Sequence, residues 1–283
     1  MQYDNILHAI ILGIVQGISE FLPISSTGHL TIAGKLLNQI SQTNPERWTH
    51  FIAIIQLGTM ISILVYFFKD LFNIAKDFMY DNLILRKKIS NQSQNSKLGW
   101  LIILGTLPIV IIGLALKKVI EGEITKNLYL IASMLIIVAI IMFIAEKLTK
   151  NKRSFEEIRW KDAVIIGLAQ CLALIPGVSR SGSTITAGLF LNIKRDVAAR
   201  FSFLLSVPAI LASGLLELKE SLPYIVNEGA ISVIVATIVS FISGYLAIDF
   251  LIKYLRTKTT LIFIIYRIIV GAAILILLNY RII

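Results

Sequence analysis

The sequence predicts an all-α polytopic membrane protein, with six transmembrane helices plus two re-entrant helical hairpins related by an inverted repeat, in one domain over residues 1–283. Three observations predict it. Of the residues, 56% are hydrophobic and only 16% are charged, with a mean hydropathy of +0.80, against an apolar share of about 45–50% in soluble domains. Apolar runs of membrane-spanning length recur along the chain. Two further apolar regions are broken midway by Pro, Gly and polar residues, and these two regions align with each other.

The expected spans lie near His50–Phe68, Leu98–Leu116, Leu128–Ala145, Val197–Leu216, Ile231–Leu251 and Leu261–Leu278. The hairpins cover about Ile6–Leu37 and Ala163–Leu191. Proline lacks a backbone donor and biases the preceding residue away from helix. Leu22-Pro23 and Ile175-Pro176 therefore end a first half-helix in each hairpin. The second halves are too short to span, and non-helical backbone at that depth is tolerated only within protein or beside water. An offset of 154 places Gly13 on Gly167, Gln16 on Gln170, Ser25 on Ser179, Gly28 on Gly182, Ala33 on Ala187 and Gly34 on Gly188. Three spans separate the hairpins, so hairpins that return to their own sides enter from opposite faces. The repeat is then inverted, with a site near the midplane where the broken helices converge.

The net charge of +10 does not point to nucleic acid, because the basic residues sit in short loops between spans, where they act as topology signals. Lys69–Lys97, Lys147–Lys161, Lys194–Arg200 and Lys253–Lys258 mark the cytoplasmic side. Arg47, Lys117, Lys118, Lys126, Lys219 and Arg281 are the sparser set opposite. Both termini and the opening of the first hairpin then face outward. The start, MQYDNILHAIILGIV, has no basic n-region or small-residue cleavage site and reads as retained. The segments Lys69–Lys97 and Glu146–Asp162 read as polar linkers without chemistry. The single Cys171 excludes an intramolecular disulfide and a cysteine metal cluster, and reads as a packing residue.

Two polar islands carry the chemistry. In Gln16–His29 (QGISEFLPISSTGH), Gln16 and Glu20 share one helical face. An ionisable group at membrane depth is costly, about 2.5–3.5 kcal/mol on insertion scales, unless it gains partners. Glu20 suits a divalent cation or general acid–base work, against the plainer role of a structural cap or ion pair. Gln16 could share the cation or orient water. Ser25, Ser26 and Thr27 open the second half-helix, where one hydroxyl suffices for an N-cap. Ser26 and His29 have the spacing of an activated nucleophile and its base, although Ser-x-x-His is weak alone and a lone buried histidine is usually structural. In Pro176–Thr184 (PGVSRSGST), Arg180 stands among Ser179, Ser181, Gly182, Ser183 and Thr184 before a half-helix. A guanidinium, hydroxyls and free amides fit a phosphate or pyrophosphate, and a structural Arg180–Glu20 ion pair is the rival reading. Gln56 is a secondary candidate. Arg195 and Arg200 read as interfacial anchors, and Arg267 in mid-span must find a partner. A phosphate centre open to lipid suggests an amphiphilic substrate with a phosphorylated head and a hydrocarbon tail.

These residues resemble the bacitracin-resistance type of undecaprenyl-diphosphatase, an integral membrane family, over nearly the whole chain. The first family signature appears as Gln16 to Glu20 running into FLPISSTGH, and the second stands complete from Pro176 to Thr184. IIQLG at Ile54–Gly58, FSFLLSVP at Phe201–Pro208 and YRIIV at Tyr266–Val270 are similar too. The resemblance implies hydrolysis of undecaprenyl diphosphate to the monophosphate and inorganic phosphate, which recycles the lipid carrier of cell-wall synthesis and confers bacitracin resistance. It implies a bacterial inner-membrane location with the site facing the periplasm, and a polyprenyl diphosphate and membrane lipid as partners. A divalent cation, Mg or Ca, is implied at Glu20 with Gln16. Arg180 would hold phosphate, and Ser26, Ser179, Ser181 and Thr184 would supply hydroxyls. The attack would come from Ser26 activated by His29, or from water activated by the metal or Glu20. Gln16 stands where many members carry Glu, which weakens a two-carboxylate scheme. A homodimer suits a chain of this size, without a residue pattern that argues for it. The rival classes are a secondary transporter or lipid flippase, whose architecture also uses inverted repeats, and a scaffold for cell-wall assembly.

Overall fold

The computed structural model describes residues 6–40, 45–116, 127–227 and 230–280. Among them every regular element is helical, apart from one isolated β-bridge between Arg153 and Ile193. Helices α1 (Ile6–Phe21) and α2 (Ser26–Leu36) make the first hairpin, followed by α3 (Pro45–Tyr66), α4 (Phe68–Met79), α5 (Gln94–Ala115) and α6 (Leu128–Leu148). Helices α7 (Trp160–Cys171) and α8 (Arg180–Phe190) make the second, followed by α9 (Arg195–Asn227), α10 (Ala230–Thr257) and α11 (Leu261–Asn279). Among the described residues, five helical segments are long and apolar enough to cross a membrane: Trp48–Tyr66, Gln94–Ala115, Leu128–Leu148, Ile231–Thr257 and Leu261–Asn279. The remaining expected span falls inside α9. Of the basic residues expected on the sparser face, Lys117, Lys118, Lys126 and Arg281 lie outside the described residues, as does the start of the chain at residues 1–5.

The two hairpins repeat each other in backbone detail. Helices α2 and α8 are both 11 residues long. Ser25 and Ser179 cap them at φ 78° and 74°, and their hydroxyls accept from Gly28 N at 3.4 Å and Gly182 N at 3.1 Å. Positive φ at a serine is strained by roughly 1–3 kcal/mol and persists only where the surroundings enforce it. Both helices end alike. Asn38 and Asn192 take φ 54° and 61°, and the next residue bonds back, Gln39 N to Gly34 O at 2.8 Å and Ile193 N to Gly188 O at 3.0 Å. This is a left-handed C-terminal cap in which Asn substitutes for Gly.

Each hairpin also has its open end tied shut. In the first, Gln39 Nε2 lies 3.0 Å from His8 Nδ1. In the second, Arg153 donates to Asp162 Oδ1 in α7 and to the Leu191 carbonyl after α8, both at 3.1 Å. Helix α7 begins a few residues before the expected Ala163 because Asp162 accepts from Arg159 N at 2.8 Å. On the same face as that opening, Arg195 pairs with Glu146 and Arg200 with Asp70, while Thr260 N and Oγ1 donate to Glu146 at 3.1 and 2.7 Å. Arg195 and Arg200 thus hold helix ends together rather than standing alone as anchors.

Helix α1 packs on α10 and α7 on α5, with α6 and α11 against each other. These contacts are backbone-close. A Cβ on Gly13 would stand 2.5 Å from Ala236 O, one on Gly17 would stand 2.6 Å from Gly244 N, and one on Gly167 would stand 2.1 Å from Gly105 O. Small residues at such crossings are how membrane helices gain packing without a hydrophobic drive. Outward-facing side chains such as Ile111, Leu114 and Ile269 are 64%, 70% and 61% exposed, as lipid-facing helices require.

The segment read as a polar linker, Lys69–Lys97, is ordered instead. Helix α4 exposes Phe68, Phe72 and Met79 and turns Asp70, Asn73 and Ile74 toward a cavity. A π-helical turn at Tyr80–Ile84 and a 3₁₀ turn at Ile89–Asn91 follow. Asp81 accepts from Ser93 N at 2.7 Å and pairs with Lys87, and these two partners hold its carboxyl below the ordinary range.

Candidate functional site

The tips of the two hairpins meet. Ser181 Oγ in α8 donates to the Leu22 carbonyl of the first turn at 3.1 Å, and Arg180 Nη2 lies 3.0 Å from Glu20 Oε1, with side chains 15% and 9% exposed. The ion pair anticipated as the structural reading of these residues is therefore formed. It leaves much unused. Gln16 Nε2 reaches Glu20 Oε2 at 3.3 Å and Thr59 Oγ1 of α3 at 3.4 Å. Gln16 Oε1 and Arg180 Nη1 are buried atoms with no hydrogen-bond partner among the described residues. A buried donor and a buried acceptor left unsatisfied cost about 1–3 kcal/mol each, and Gln170, the repeat equivalent of Gln16, is likewise unsatisfied at Nε2 and Oε1.

The hydroxyls divide into two groups. Ser25 and Ser179 are spent on N-caps. Ser181 bonds Leu22 O and lies 3.2 Å from Ser179 Oγ. Ser183 and Thr184 donate back to Arg180 O at 2.9 and 2.8 Å, and Thr184 also meets Ser202 Oγ at 2.5 Å. Thr184 is fully buried and shapes the Arg180 turn. Ser26, partly exposed, and Thr27, exposed, keep hydroxyls without a bond among the described residues. Gln56 lies one helical turn before Thr59, whose hydroxyl donates to the Gln56 carbonyl at 2.7 Å.

His29 is not bonded to Ser26. Its Nδ1 lies 2.7 Å from the Ser25 carbonyl, and its Nε2 lies 2.7 Å from the Tyr266 hydroxyl of α11, with the two rings stacked at 5.5 Å. A carbonyl only accepts, so Nδ1 carries the proton and neutral His29 presents Nε2 as an acceptor, to which Tyr266 donates. The Ser26–His29 pair expected from spacing is replaced by a His29–Tyr266 pair, because helical geometry directs the imidazole back onto its own turn.

Arg267, left without a partner by the sequence, is 0% exposed. It donates to four carbonyls: Leu135 at 3.1 Å and Met134 at 3.3 Å in α6, Pro23 at 3.1 Å in the first turn and Gly177 at 2.9 Å in the second. Pro23 and Gly177 are equivalent positions of the repeat. Gly177 has φ +90°, and a Cβ there would stand 2.4 Å from Ile131 O, so only glycine serves. One side chain thus locks both tips, and no carboxylate pairs with it among the described residues. Its uncompensated charge adds to that of Arg180 beneath the junction. Sequence reasoning did not single out Thr59, Ser202 or Tyr266. The available signal was polarity inside apolar runs, in IIQLGT, FSFLLS and FIIYR.

The donor set bears on a divalent cation as well. Among the described residues no cluster of three or more His, Cys, Asp or Glu side chains could hold a metal. Glu20 and Gln16 nevertheless carry hard oxygen donors one helical turn apart, with the Gln16 amide turning Nε2 toward Glu20, so that a rotation of the amide brings Oε1 to the carboxylate. Such a pair fits Mg²⁺ or Ca²⁺ when substrate phosphate and water complete the shell.

A multi-pass helical membrane protein whose two broken hairpins converge on buried arginines and one carboxylate is a membrane protein with a charged centre among its helices. The family model described as Bacitracin resistance protein BacA matches residues 9–273, and the chain belongs to that family. It is 49% identical to a protein of Syntrophobacter fumaroxidans named undecaprenyl-diphosphatase, covering 96% of each chain. Proteins of the same name from Chlorobium limicola and Myxococcus xanthus are 47% and 44% identical, each over 97% of this chain and over 97% and 90% of the relatives.

Proposed function

We propose that this protein hydrolyses undecaprenyl diphosphate to undecaprenyl phosphate and inorganic phosphate. The observation that carries the reading is the half-used Arg180–Glu20 pair. Its free Nη1 and the neighbouring Gln16 Oε1 are buried and unsatisfied, which suits a terminal phosphate and a cation bound together. In this reading Arg180 binds the terminal phosphate, and Arg267 supports it as a fixed charge without contact. Glu20 and Gln16 would hold a divalent cation, which supplies charge neutralisation of the diphosphate. An oxygen nucleophile attacks the terminal phosphorus, the bond to the bridging oxygen breaks, and the lipid monophosphate leaves. Either Ser26 Oγ attacks and water later releases phosphate from it, or water attacks directly. His29, its ring plane set by Tyr266, accepts the nucleophile's proton at Nε2.

Six spans, with α9 as the sixth, and two re-entrant hairpins would put the junction near the midplane. The basic face would be cytoplasmic and the site open to the periplasm, where the product joins carrier-lipid recycling and accounts for bacitracin resistance. The matched caps at Ser25 and Ser179 favour a second reading, transport or flipping of a phosphorylated polyprenyl lipid, because inverted repeats are typical of transporters. A transporter has no need of Ser26 and His29. The deciding experiment is inorganic phosphate release from a polyprenyl diphosphate by purified protein, with and without chelator, for the parent, Ser26→Ala, His29→Ala and Arg180→Ala. Activity in the parent that falls at least about 100-fold in the Arg180 and His29 variants supports hydrolysis. Lipid binding without phosphate release by the parent overturns it.

A further inference from the structure

A cavity of about 860 Å³ lies away from the hairpin junction, on the basic face, with a volume in the range of small-molecule sites. It opens between α4, the start of α5, the start of α7 and the start of α9. Its floor is apolar, formed by Ile74, Leu98, Leu101, Leu104, Ile158 and Leu204. Its polar groups include Lys97, Arg159 and Arg200 against the carboxylates of Asp70 and Glu156. Arg200 is committed to Asp70 at 2.8 Å and stacks over Phe155. Lys97 and Arg159 make no ion pair among the described residues, so one cation remains in excess over Glu156.

Two of the three tryptophans, Trp100 and Trp160, also line the cavity and are 37% and 60% exposed. Tryptophan with lysine and arginine is the side-chain chemistry of the membrane–water boundary. The depth is fixed independently by α4, whose Phe68, Phe72 and Met79 are 65%, 58% and 53% exposed on the face opposite Asp70, Asn73 and Ile74. An exposed apolar face opposite Asp70 and Asn73 suits a helix with lipid outside it and the cavity inside.

We propose that this cavity binds an anionic glycerophospholipid of the leaflet on the basic face, its phosphate at Lys97 and Arg159 and an acyl chain along the leucine floor. The site is distinct from the hydrolytic junction and does not depend on the function assigned to it. One net cation near the surface gives about a fivefold preference for an anionic over a zwitterionic headgroup. The full chain reconstituted in phosphatidylcholine vesicles tests this, through quenching of tryptophan fluorescence by brominated phosphatidylglycerol or brominated phosphatidylcholine at equal mole fraction. Trp48, only 3% exposed in another part of the core, contributes a background common to both lipids. The expected result is quenching by phosphatidylglycerol that corresponds to about fivefold enrichment. It is abolished in the K97Q/R159Q double variant and kept in K253Q, a change on an exposed lysine elsewhere. Equal quenching by both lipids, an unchanged preference in the double variant, or its loss in K253Q would each overturn the proposal.

Discussion

The Tyr266 hydroxyl stands 2.7 Å from Nε2 of His29, a residue 237 positions earlier in the chain. With Nδ1 anchored on the Ser25 carbonyl, both imidazole nitrogens are committed before substrate arrives. Tyr266 is thus a positioning residue that sets the ring plane of His29. Tyr266→Phe should lower kcat/KM about tenfold, the worth of one orienting hydrogen bond. The same change in a His29→Ala background should cost nothing further, a non-additivity that kinetics of the double-mutant cycle would measure. Additive losses would mean that Tyr266 acts independently of His29.

Glu20→Gln removes the charge opposite a buried Arg180 and leaves the guanidinium uncompensated, at a cost of about 3–5 kcal/mol for a pair this buried. The variant should unfold faster in detergent than the parent. Added pyrophosphate should protect it more than it protects the parent, because Arg180 is then free to bind an anion with both arms. Inactivation half-life at fixed temperature, with and without pyrophosphate, reads both effects.

Arg267 tests the tip-locking role. Arg267→Met leaves the buried turn carbonyls of Pro23 and Gly177 short of a donor, at about 1–3 kcal/mol each, and should shorten the half-life in detergent more than Arg180→Met does. Arg267→Lys restores the charge but not the fork that reaches four acceptors, and should recover stability only in part. Equal stability of Arg267→Met and the parent would rule the role out.

Gly17→Ala places a methyl where Ser243 Oγ and Gly244 N already stand, and α1 must move off α10 with Glu20 at its end. Loss of both folding yield and activity is expected. A methyl group added at Gly113 in α5 meets nothing within 4 Å, so Gly113→Ala should be neutral or stabilising by up to about 1 kcal/mol from helix propensity. Yields of monodisperse protein in detergent compare the two.

Gln16→Glu adds a second carboxylate beside Glu20. A divalent cation held there should bind about tenfold more tightly, since ligand charge tunes affinity at oxygen sites. Titration of free Mg²⁺ against phosphate release and against thermal protection gives two independent readings. No change in either would place the cation elsewhere.

The long apolar helices and the two helical hairpins were legible in the sequence because their causes are local. Apolar length fixes a span, Pro23 follows closely on the end of α1, and α7 ends at Cys171 in a 3₁₀ turn over Leu172–Leu174, a few residues ahead of the expected stop at Pro176. The repeat was legible because Gly13 and Gly167, equivalent in the two hairpins, answer to backbone contacts that leave no room for a side chain. The polar islands stood out because a carboxylate or guanidinium among apolar residues has to be compensated. The segment after α3 reads as a linker by composition and folds as a helix, since the apolar face of α4 comes from the helical spacing of Phe68, Phe72 and Met79, which composition does not record.

What the sequence by itself determined, then, is the helical membrane architecture, its internal repeat and the identity of the charged centre, all of which follow from hydropathy and backbone chemistry within a few residues. Only the tertiary structure decided how that centre is wired. It gave His29 to Tyr266 rather than Ser26, spent Ser25, Ser179 and Thr184 on backbone, and set Arg267 across both turns. The physical reason is that a buried polar group takes whichever partner the packing of distant helices brings within about 3 Å, and no local pattern records that choice.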